Sequence, residues 1–303
     1  MDKVNRRTFL EGTLAVSAGL GAVNAGQSAI GSELIAKAVT DFPMRKLGKY
    51  DISRLIIGAN QFTGYPHAEP LKYAKELFAA YFTEEKIVET LAIGYTHGIN
   101  THVTLTDETC VKYLNRFEKE TGKRLQWIAQ SNWFSPKPEG RKNALSYIKL
   151  AADNGAIACF LHGAACDGLV REKNLAEMEF YFDTIRKQGM LAGMAGHLNE
   201  TVDVPIKAGI TPDFIMKTLN TADYVCSEPE KTKTMMAGID LPWIAYKVLA
   251  AGRIAPEAGF RYAIEAGADF LNVGMFDFQV AEDVEIANAI LPRYAQRDRA
   301  WQA

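Results

Sequence analysis

Short apolar runs alternate with amphipathic segments along most of the chain from Arg54 onward. A short run of β-branched and other apolar residues predicts a buried strand, and a longer segment with one apolar face predicts a helix. The predicted strands are Leu55–Ala59, Gly98–Val103, Leu125–Ala129, Ile157–Leu161, Leu191–Ala195, Phe214–Met216, Trp243–Tyr246 and Phe270–Val273. The helices predicted between them are Thr83–Leu91, Arg141–Asn154, Leu175–Gln188, Thr201–Lys207, Glu228–Met236, Pro256–Ala266 and Val280–Ile290.

Glycines mark the ends of several of these helices. Gly98, Gly155, Gly209 and Gly267 each stand just before or at the start of a predicted strand, where a helix C-cap favours glycine. Eight such strand and helix units predict an α/β fold of the (β/α)8 TIM barrel type. A doubly wound sheet is the alternative, but it usually carries a GxGxxG loop after its first strand, and Gly58–Gly64 lacks that pattern.

Three connections are longer than this pattern requires. Gln61–Phe82, Ser135–Gly140 and Gly163–Lys173 follow the first, third and fourth predicted strands. Loops that follow the strands of such a barrel lie on its C-terminal face, where active sites are built. We therefore expect these three loops to contribute to a functional site.

Composition excludes several classes of protein. The 303 residues are 48% hydrophobic, and 34 Lys and Arg balance 36 Asp and Glu to a net charge of -2. This is typical of a globular chain without bulk attraction for nucleic acid. The four cysteines are too widely spaced for a disulfide scaffold or a CxxC zinc site, so we expect isolated thiols. No apolar run reaches the roughly 18 residues of a membrane span.

The N-terminus has the three parts of a signal peptide. Arg6 and Arg7 precede a Gly- and Ala-rich apolar stretch, Gly12–Val23, and Val23–Ala25 supplies small residues for cleavage. Paired arginines before a weakly apolar stretch indicate the twin-arginine (Tat) route, which exports folded proteins.

The chain is therefore predicted to divide into a Tat signal peptide (1–25), a leader (26–41) and one barrel domain (42–303). The mature protein is expected in the periplasm or outside the cell. The Tat export machinery would be its partner, without stable insertion in the membrane.

Three stretches resemble the aldo-keto reductase superfamily. Arg45–Gly58 is similar to the family's entrance hairpin and first strand, Ile244–Gly252 to its seventh strand and Val273–Val284 to its eighth. The resemblance spans roughly Phe42–Leu291 and implies an aldo-keto reductase-like barrel.

The resemblance extends to one of the family's four catalytic residues. The family carries an Asp after its second strand, a Tyr five residues later, a Lys on the third strand and a His on the fourth. These groups protonate a carbonyl as hydride arrives from a nicotinamide. The Asp and Tyr positions hold Val103 and Glu108, Gln130–Asn132 stands where the Lys would be, and only His162 matches. NAD(P) is accordingly the less expected cofactor.

Polar residues at the strand ends are the candidate site residues, because the C-terminal ends of barrel strands converge on one pocket. The expected catalytic residues are His162, His102 and Lys217. The expected substrate-binding residues are Asn60, Gln61, His67, Gln130, Asn132, Asn220 and Lys247.

A metal site is one interpretation of the histidines. His102, His162 and His197 follow three different strands, and three imidazoles can hold a divalent transition metal with an open position. Each histidine also has another reading. His162 could donate to a substrate oxygen, His102 could be a satisfied rim residue, and His197 could cap the helix beginning near Asn199.

Two lysines follow neighbouring strands. Lys217 could form a Schiff base, its pKa lowered by burial and by Lys247 as a nearby cation. Alternatively, both lysines form ordinary ion pairs at the rim with Asp223, Glu228 or Asp277.

The leading functional hypothesis is an exported enzyme acting on a small polar substrate, a carbohydrate or keto-sugar. It would use non-redox acid/base or metal-assisted chemistry of the isomerase, lyase or hydrolase type. An NAD(P)-dependent aldo-keto reductase-like oxidoreductase is the first alternative, and a non-catalytic ligand-binding barrel is the second.

Overall fold

The computed structural model describes residues 42–65, 67, 71–226 and 228–302. The predicted signal peptide (1–25) and leader (26–41) lie outside these residues. Within the described ranges, no helix is long and apolar enough to cross a membrane.

Eight parallel strands close into a barrel, with the first strand of the barrel paired to the last. A hairpin of β1 (Met44–Leu47) and β2 (Tyr50–Ser53) precedes it. The barrel strands are β3 (Leu55–Gly58), β4 (Thr101–Leu105), β5 (Gln126–Gln130), β6 (Ala158–Leu161), β7 (Leu191–Gly196), β8 (Phe214–Thr218), β9 (Trp243–Tyr246) and β10 (Phe270–Gly274).

Helices connect the strands and surround the barrel. They are α1 (Ala74–Tyr81), α2 (Glu84–Thr96), α3 (Glu108–Thr121), α4 (Arg141–Asp153), α5 (Gly163–Arg171), α6 (Leu175–Lys187), α7 (Glu200–Lys207), α8 (Pro229–Ala237), α9 (Pro256–Glu265) and α10 (Asp277–Ile290). The predicted (β/α)8 barrel is confirmed, and each predicted strand overlaps an observed one.

Three helices correct the sequence analysis, and one of them, α1 (Ala74–Tyr81), lies within the Gln61–Phe82 segment that was expected to be a loop. The Glu108–Thr121 segment was not predicted, although Asp107 caps its N-terminus by accepting from the Cys110 amide and Gly122 ends it at φ +64°. The Gly163–Lys173 segment, expected as a loop, is mostly the helix α5. Gly163 and Gly168 are weak helix formers, but they let α5 approach closely the His197 ring and Pro136, respectively.

Side chains alternate between the barrel interior and the layer under the helices, because successive residues of a strand point to opposite faces. Ile56, Val103, Ile128, Met216 and Ile244 belong to the interior cluster. Their strand neighbours, such as Ile57, Trp127 and Ala245, belong to the larger cluster between barrel and helices. Leu47 and Ile52 of the hairpin join the interior cluster and close the N-terminal end.

The C-terminal segment is fastened to this closed end by a buried carboxylate. Asp269 accepts from the Trp243 amide at 2.8 Å and pairs with Arg297 at 2.7 Å and Arg299 at 3.0 Å. The Trp301 ring lies between two guanidinium groups, those of Arg54 at 3.5 Å and Arg297 at 3.2 Å. Residues 297–302 thereby contact the start of both the first and the last barrel strand.

A buried carboxyl on α10 gives a stability prediction. Burial, and then Glu282 and Glu257, raise the pKa of Asp283 from 3.8 to about 7. Native Asp283 thus holds a proton that the unfolded chain has lost between these pH values, so the stability of the fold falls as pH rises from about 4 to about 7 and stays at the lower level above pH 7. Asp283→Asn should raise the free energy of unfolding at pH 8 by about 2 kcal/mol.

The measurement is urea denaturation of both proteins at pH 8 and pH 4. At pH 4 the difference should largely disappear, because Asp283 is protonated in the folded protein. Glu285→Gln, an exposed change on the same helix, should have little effect at either pH. An equal stabilisation by Asp283→Asn at both pH values would contradict the assignment to ionisation.

Candidate active site

The inward positions at the strand ends form one layer of side chains at the C-terminal mouth of the barrel. Each of them lies two residues after the member of the interior cluster on its own strand. Because alternate residues of a strand face the same side, these side chains are directed to the mouth. This mouth layer comprises Gln130, His162, His197, Thr218, Tyr246 and Asn272.

A histidine and a carboxylate are paired at the mouth. Nδ1 of His197 lies 2.8 Å from Oδ2 of Asp167 on α5, and Thr201 donates to Oδ1 at 2.5 Å. Burial favours a higher pKa for Asp167, but the hydrogen bonds from His197 and Thr201 outweigh it and lower the pKa. Beside an ionised Asp167, the neutral form of His197 carries its proton on Nδ1, and in that form Nε2 is an acceptor.

His162 has the opposite arrangement. It is the N-cap of α5, and its Nδ1 accepts from the Ala164 amide at 3.1 Å. Burial, and then the electrostatic effects of His197 and Lys247, lower the pKa of His162 to about 4, against an opposing effect of Asp167. His162 is therefore neutral at pH 7 with its proton on Nε2, where it can donate.

Gly163 allows these groups to approach each other. A Cβ at this position would lie 2.7 Å from Cε1 of His197 and 3.2 Å from the hydroxyl of Tyr246. The rings of His197 and Tyr246 are 6.0 Å apart. Burial raises the pKa of Tyr246 well above 10, so its phenol keeps its proton at neutral pH.

Lys247 is held at the rim in a left-handed backbone conformation, with φ +57°. Its Nζ lies 3.3 Å from Nε2 of His67, and the hydroxyl of Tyr224 donates to the His67 carbonyl at 3.3 Å. Burial lowers the pKa of Lys247 to about 8. Burial, and then Lys247, His197 and His162, lower that of His67 to about 4. His67, Lys247, His162 and His197 therefore share one electrostatic environment.

Asn220 supports this rim. Its Nδ2 donates to the carbonyls of Tyr224 at 2.8 Å and Lys247 at 3.2 Å, and its Oδ1 accepts from the amides of Ala222 and Tyr224. Both donors and both acceptor positions of the amide are thus occupied. Asn220, expected to bind substrate, instead fixes the loop that carries Lys247.

His102 is turned away from the mouth. It lies at an outward position of β4, with Nδ1 2.8 Å from the Ile57 carbonyl and Nε2 3.0 Å from the Tyr113 hydroxyl. Burial lowers its pKa to about 4. The structure therefore separates His102 from His162 and His197. Among the described residues, no group of three or more His, Cys, Asp or Glu is arranged to hold a metal.

Lys217 is also at an outward position, one residue before Thr218. Its buried ammonium donates to the His197 carbonyl at 2.9 Å and to Thr218 Oγ1 at 3.1 Å. Such a position does not suit a Schiff base with a substrate at the mouth. Neither Lys217 nor Lys247 forms an ion pair within the part of the chain that the structure describes, so the expected rim pairs are not seen. Asp277 pairs instead with Lys86.

The remaining expected residues divide between scaffold and site. Gln61 is buried and its Nε2 donates to the carbonyls of Gly58 at 2.9 Å and Met275 at 3.0 Å, which ties the ends of β3 and β10 together. Asn60 is exposed in the following turn. Gln130 belongs to the mouth layer, and Oδ1 of Asn132 is buried without a described partner.

Sequence reasoning missed Asp167 and Tyr246. Asp167 lies in a segment that was expected to be a loop. Its spacing of one helical turn from Gly163 could therefore not be used to predict which way its side chain faces. Tyr246 ends a strand whose inward positions are every second residue. Counting back from Tyr246 to the interior residue Ile244 would have indicated that Tyr246 reaches the mouth.

The fold family implies a nicotinamide cofactor along Lys247–Gly252 and Gly274–Gln279, and the second of these segments fits it poorly. α10 begins with Asp277, whose carboxylate accepts from Tyr81 at 2.6 Å and Lys86 at 3.1 Å. A carboxylate at this helix N-terminus opposes a cofactor phosphate. The space beside Gly274 is filled by Gln61, whose Oε1 would lie 2.6 Å from a Cβ there.

Comparison with known proteins identifies the fold. No protein-family model matches the chain, and no curated protein matches it. Solved structures do. A proposed aldo-keto reductase from Pseudomonas aeruginosa is 19% identical with a TM-score of 0.60, and the match covers 85% of this chain and 98% of that one.

Two further structures give the same result. An aldo-keto reductase from Bacillus halodurans is 12% identical with a TM-score of 0.55, over 84% of this chain and 97% of that one. The glycerol dehydrogenase of Gluconobacter oxydans is 12% identical with a TM-score of 0.53, over 83% and 95%. At these identities the similarity concerns the fold, and the chain therefore has an aldo-keto reductase-like (β/α)8 barrel.

Proposed function

We propose that this protein is an enzyme that moves a proton beside the carbonyl group of a small polyhydroxylated substrate, by acid/base chemistry of the isomerase or lyase type. The proposal depends on one observation, the 2.8 Å pair of His197 and Asp167 next to a His162 of opposite tautomer. One imidazole presents a lone pair to the mouth and the other presents a proton.

His197 is the base. Asp167 holds its ring with the proton on Nδ1 and stabilises the imidazolium that forms when Nε2 takes a proton from carbon. The electrons of the broken C–H bond form the C=C bond of an enediol or enolate, and the carbonyl oxygen becomes an oxyanion. Return of the proton to the former carbonyl carbon, with a proton passed between the two oxygens, gives the isomer. Departure of a β-hydroxyl as water, which takes the proton held by His197, gives the elimination product.

His162 and Lys247 are the groups that stabilise the oxyanion. His162 is neutral and donates through Nε2, and Lys247 supplies a positive charge at the rim below pH about 8. Tyr246, a protonated phenol beside His197, can transfer a proton between the two substrate oxygens. Donors fixed before the reaction stabilise developing charge more effectively than water does.

The substrate class rests on the surroundings of the mouth. The loops after β3 and β5 expose the flat rings of Tyr65 and Trp133, both at 58%, and the start of α10 exposes that of Phe278, at 70%. Aromatic rings of this kind can pack on the apolar face of a sugar. The mouth layer adds the amide groups of Gln130 and Asn272, which suit hydroxyl groups. We therefore propose a carbohydrate or keto-sugar as substrate.

A second candidate function is a nicotinamide-dependent reductase. Two observations favour it, the aldo-keto reductase-like fold and the placement of His162 at the end of the fourth barrel strand. The carboxylate of Asp277 at the N-terminus of α10 speaks against it.

We also propose that the protein is exported through the Tat pathway to the periplasm or beyond. The support is the sequence of residues 1–25, with Arg6 and Arg7 ahead of the Gly12–Val23 stretch. A reductase that depends on free NADPH would lack its cofactor outside the cytoplasm, so export favours the non-redox chemistry.

Asp167→Asn is the main test of the mechanism. The amide cannot hold the Nδ1–H tautomer as a carboxylate does, so kcat should fall by roughly 10²- to 10⁴-fold while the fold persists. The assay incubates a panel of aldoses, ketoses and keto acids in D₂O and follows exchange of the proton beside the carbonyl by NMR. His197→Gln should lose activity to a similar extent.

The matched control is Asp203→Asn, which removes an exposed carboxylate that pairs with Lys207 on α7. It should leave the exchange rate within about twofold. Activity that appears only with NADPH would favour the reductase, and loss of activity after chelation would favour metal-assisted chemistry. Substrate binding without exchange would identify a non-catalytic barrel.

The deprotonation of Lys247 predicts an alkaline limb in the pH profile of KM. Because burial lowers its pKa to about 8, the ammonium is present below that pH and is lost above it. KM should therefore rise above pH about 8. Lys247→Arg should move this rise to higher pH, since a guanidinium keeps its charge. Lys247→Met should raise KM below pH about 8 to roughly the value that the native enzyme reaches at high pH, and remove the limb. An unchanged limb in Lys247→Met would assign it to another group.

Replacement of Arg6 and Arg7 by lysine tests export. The double variant should accumulate in the cytoplasm with its signal still attached, whereas the native chain reaches the periplasm. Fractionation and immunoblotting of a bacterial host give the distribution. Lys3→Arg in the same region is the control and should not impair export. Equal export of the double variant would exclude the Tat route.

A further inference from the structure

The ammonium group of Lys217 lies directly behind His197, on the side of the barrel wall away from the mouth. Lys217 is 1% exposed. Its Nζ donates to the His197 carbonyl at 2.9 Å, to Thr218 Oγ1 at 3.1 Å and to the Thr218 carbonyl at 3.4 Å. All three N–H groups of the ammonium therefore have an oxygen acceptor.

These acceptors are neutral, so among residues 42–65, 67, 71–226 and 228–302 the buried charge has no counterion in contact. Burial lowers the pKa of Lys217 to about 8, and the more distant Cys226, Asp167 and Glu200 act in the opposite direction. Below that pH the group is charged. A buried ammonium costs free energy that an apolar side chain would not. A residue of this kind at a strand end is a candidate for a role in the adjoining site.

The contacts of Lys217 converge on the backbone of His197. The His197 carbonyl receives the ammonium and, at 3.4 Å, the Thr218 hydroxyl. The His197 amide donates to Asp167 Oδ1 at 3.3 Å, and its ring contacts Oδ2. The backbone of His197 is thus held from both sides, by a cation at its carbonyl and by a carboxylate at its amide.

We propose that Lys217 is a positioning residue for the His197–Asp167 pair. It fixes the main chain from which the His197 ring projects, and its positive charge favours the ionised carboxylate of Asp167. An ionised Asp167 keeps the His197 proton on Nδ1 and the Nε2 lone pair toward the mouth. Lys217 does not touch substrate in this arrangement.

The inference extends the proposed function, and it is tested without a substrate. The full chain, labelled with ¹⁵N-histidine, is examined by NMR, because the ¹⁵N shifts of an imidazole distinguish its two tautomers. The other charged or titratable groups facing the pair are His162, His67, Lys247 and Tyr246. The spectra are therefore recorded at pH 7, where His67 and His162 are neutral and Lys247 and Tyr246 protonated.

In the native protein, His197 should give a single Nδ1–H signature. Lys217→Met should convert it to a mixture of tautomers and raise the pKa of Asp167, measured from its ¹³C carboxyl shift. Lys217→Arg keeps a positive charge and should preserve the native signature. Thr218→Val removes the hydroxyl while leaving the cation, and it should have the smaller effect.

An unchanged His197 signature and Asp167 pKa in folded Lys217→Met would overturn the proposal. If that variant does not fold, the test is the titration of Lys217 itself, followed by its ¹³Cε shift in Lys247→Met, because burial also lowers the pKa of Lys247 to about 8. As Lys217 loses its proton near pH 8, the His197 signature should change with the same midpoint. A signature constant through that midpoint would also overturn it.

The activity measurement separates this inference from the proposed function. If the exchange reaction exists, Lys217→Met should lower kcat about tenfold or more with little change in KM, and Lys217→Arg should recover most of the rate. If no substrate is found, the NMR results still decide whether Lys217 orders the pair. If Lys217→Met alters the tautomers but leaves kcat unchanged, His197 is not the base of the reaction, and the positioning role of Lys217 stands.

Discussion

The two-residue period of the barrel strands determines which side chains can act at the mouth. His102 and Val103 are neighbours on β4, yet Val103 belongs to the interior cluster and His102 packs under the helices. Lys217 and Thr218 differ in the same way on β8. Because a parallel barrel fixes this alternation on every strand at once, the composition of the mouth layer follows from the register of the strands.

The mouth combines several basic groups with the carboxylate of Asp167, and burial and hydrogen bonding together control their charges. His67 and His162 are neutral at pH 7 because burial and their cationic neighbours lower their pKa values to about 4. Asp167 stays ionised because its two oxygens receive hydrogen bonds from His197 and Thr201. The neutral form of His197 therefore carries its proton on Nδ1 and that of His162 on Nε2, although the two histidines follow adjacent barrel strands. Environment rather than residue type assigns their roles.

The sequence was sufficient for the barrel and for part of the site. Glycines at helix ends and apolar runs located the strands to within a few residues, and the resemblance placed His162 correctly at the end of the fourth strand. The side of the barrel wall on which His102 and Lys217 lie was not predicted, because the strand boundaries were not combined with the alternation of side chains. Asp167 required a different kind of information, since its contact with His197 joins residues 30 positions apart on separate elements. Gln61 and Asn220 were correctly located near strand ends, but only their hydrogen-bond partners reveal that they support loops.

The carboxylate of Asp269 has a consequence for the order in which this molecule can form. It joins the amide of Trp243 at the start of β9 to Arg297 and Arg299, while Trp301 stacks on Arg54 beside the first barrel strand. The closed end of the barrel therefore depends on residues 297–302, which follow every barrel strand along the chain. Until these residues are synthesised, Asp269 lacks its two arginine partners and Arg54 lacks the Trp301 ring. The contacts that join the first and last strands at this end therefore form only after all eight strands have been made.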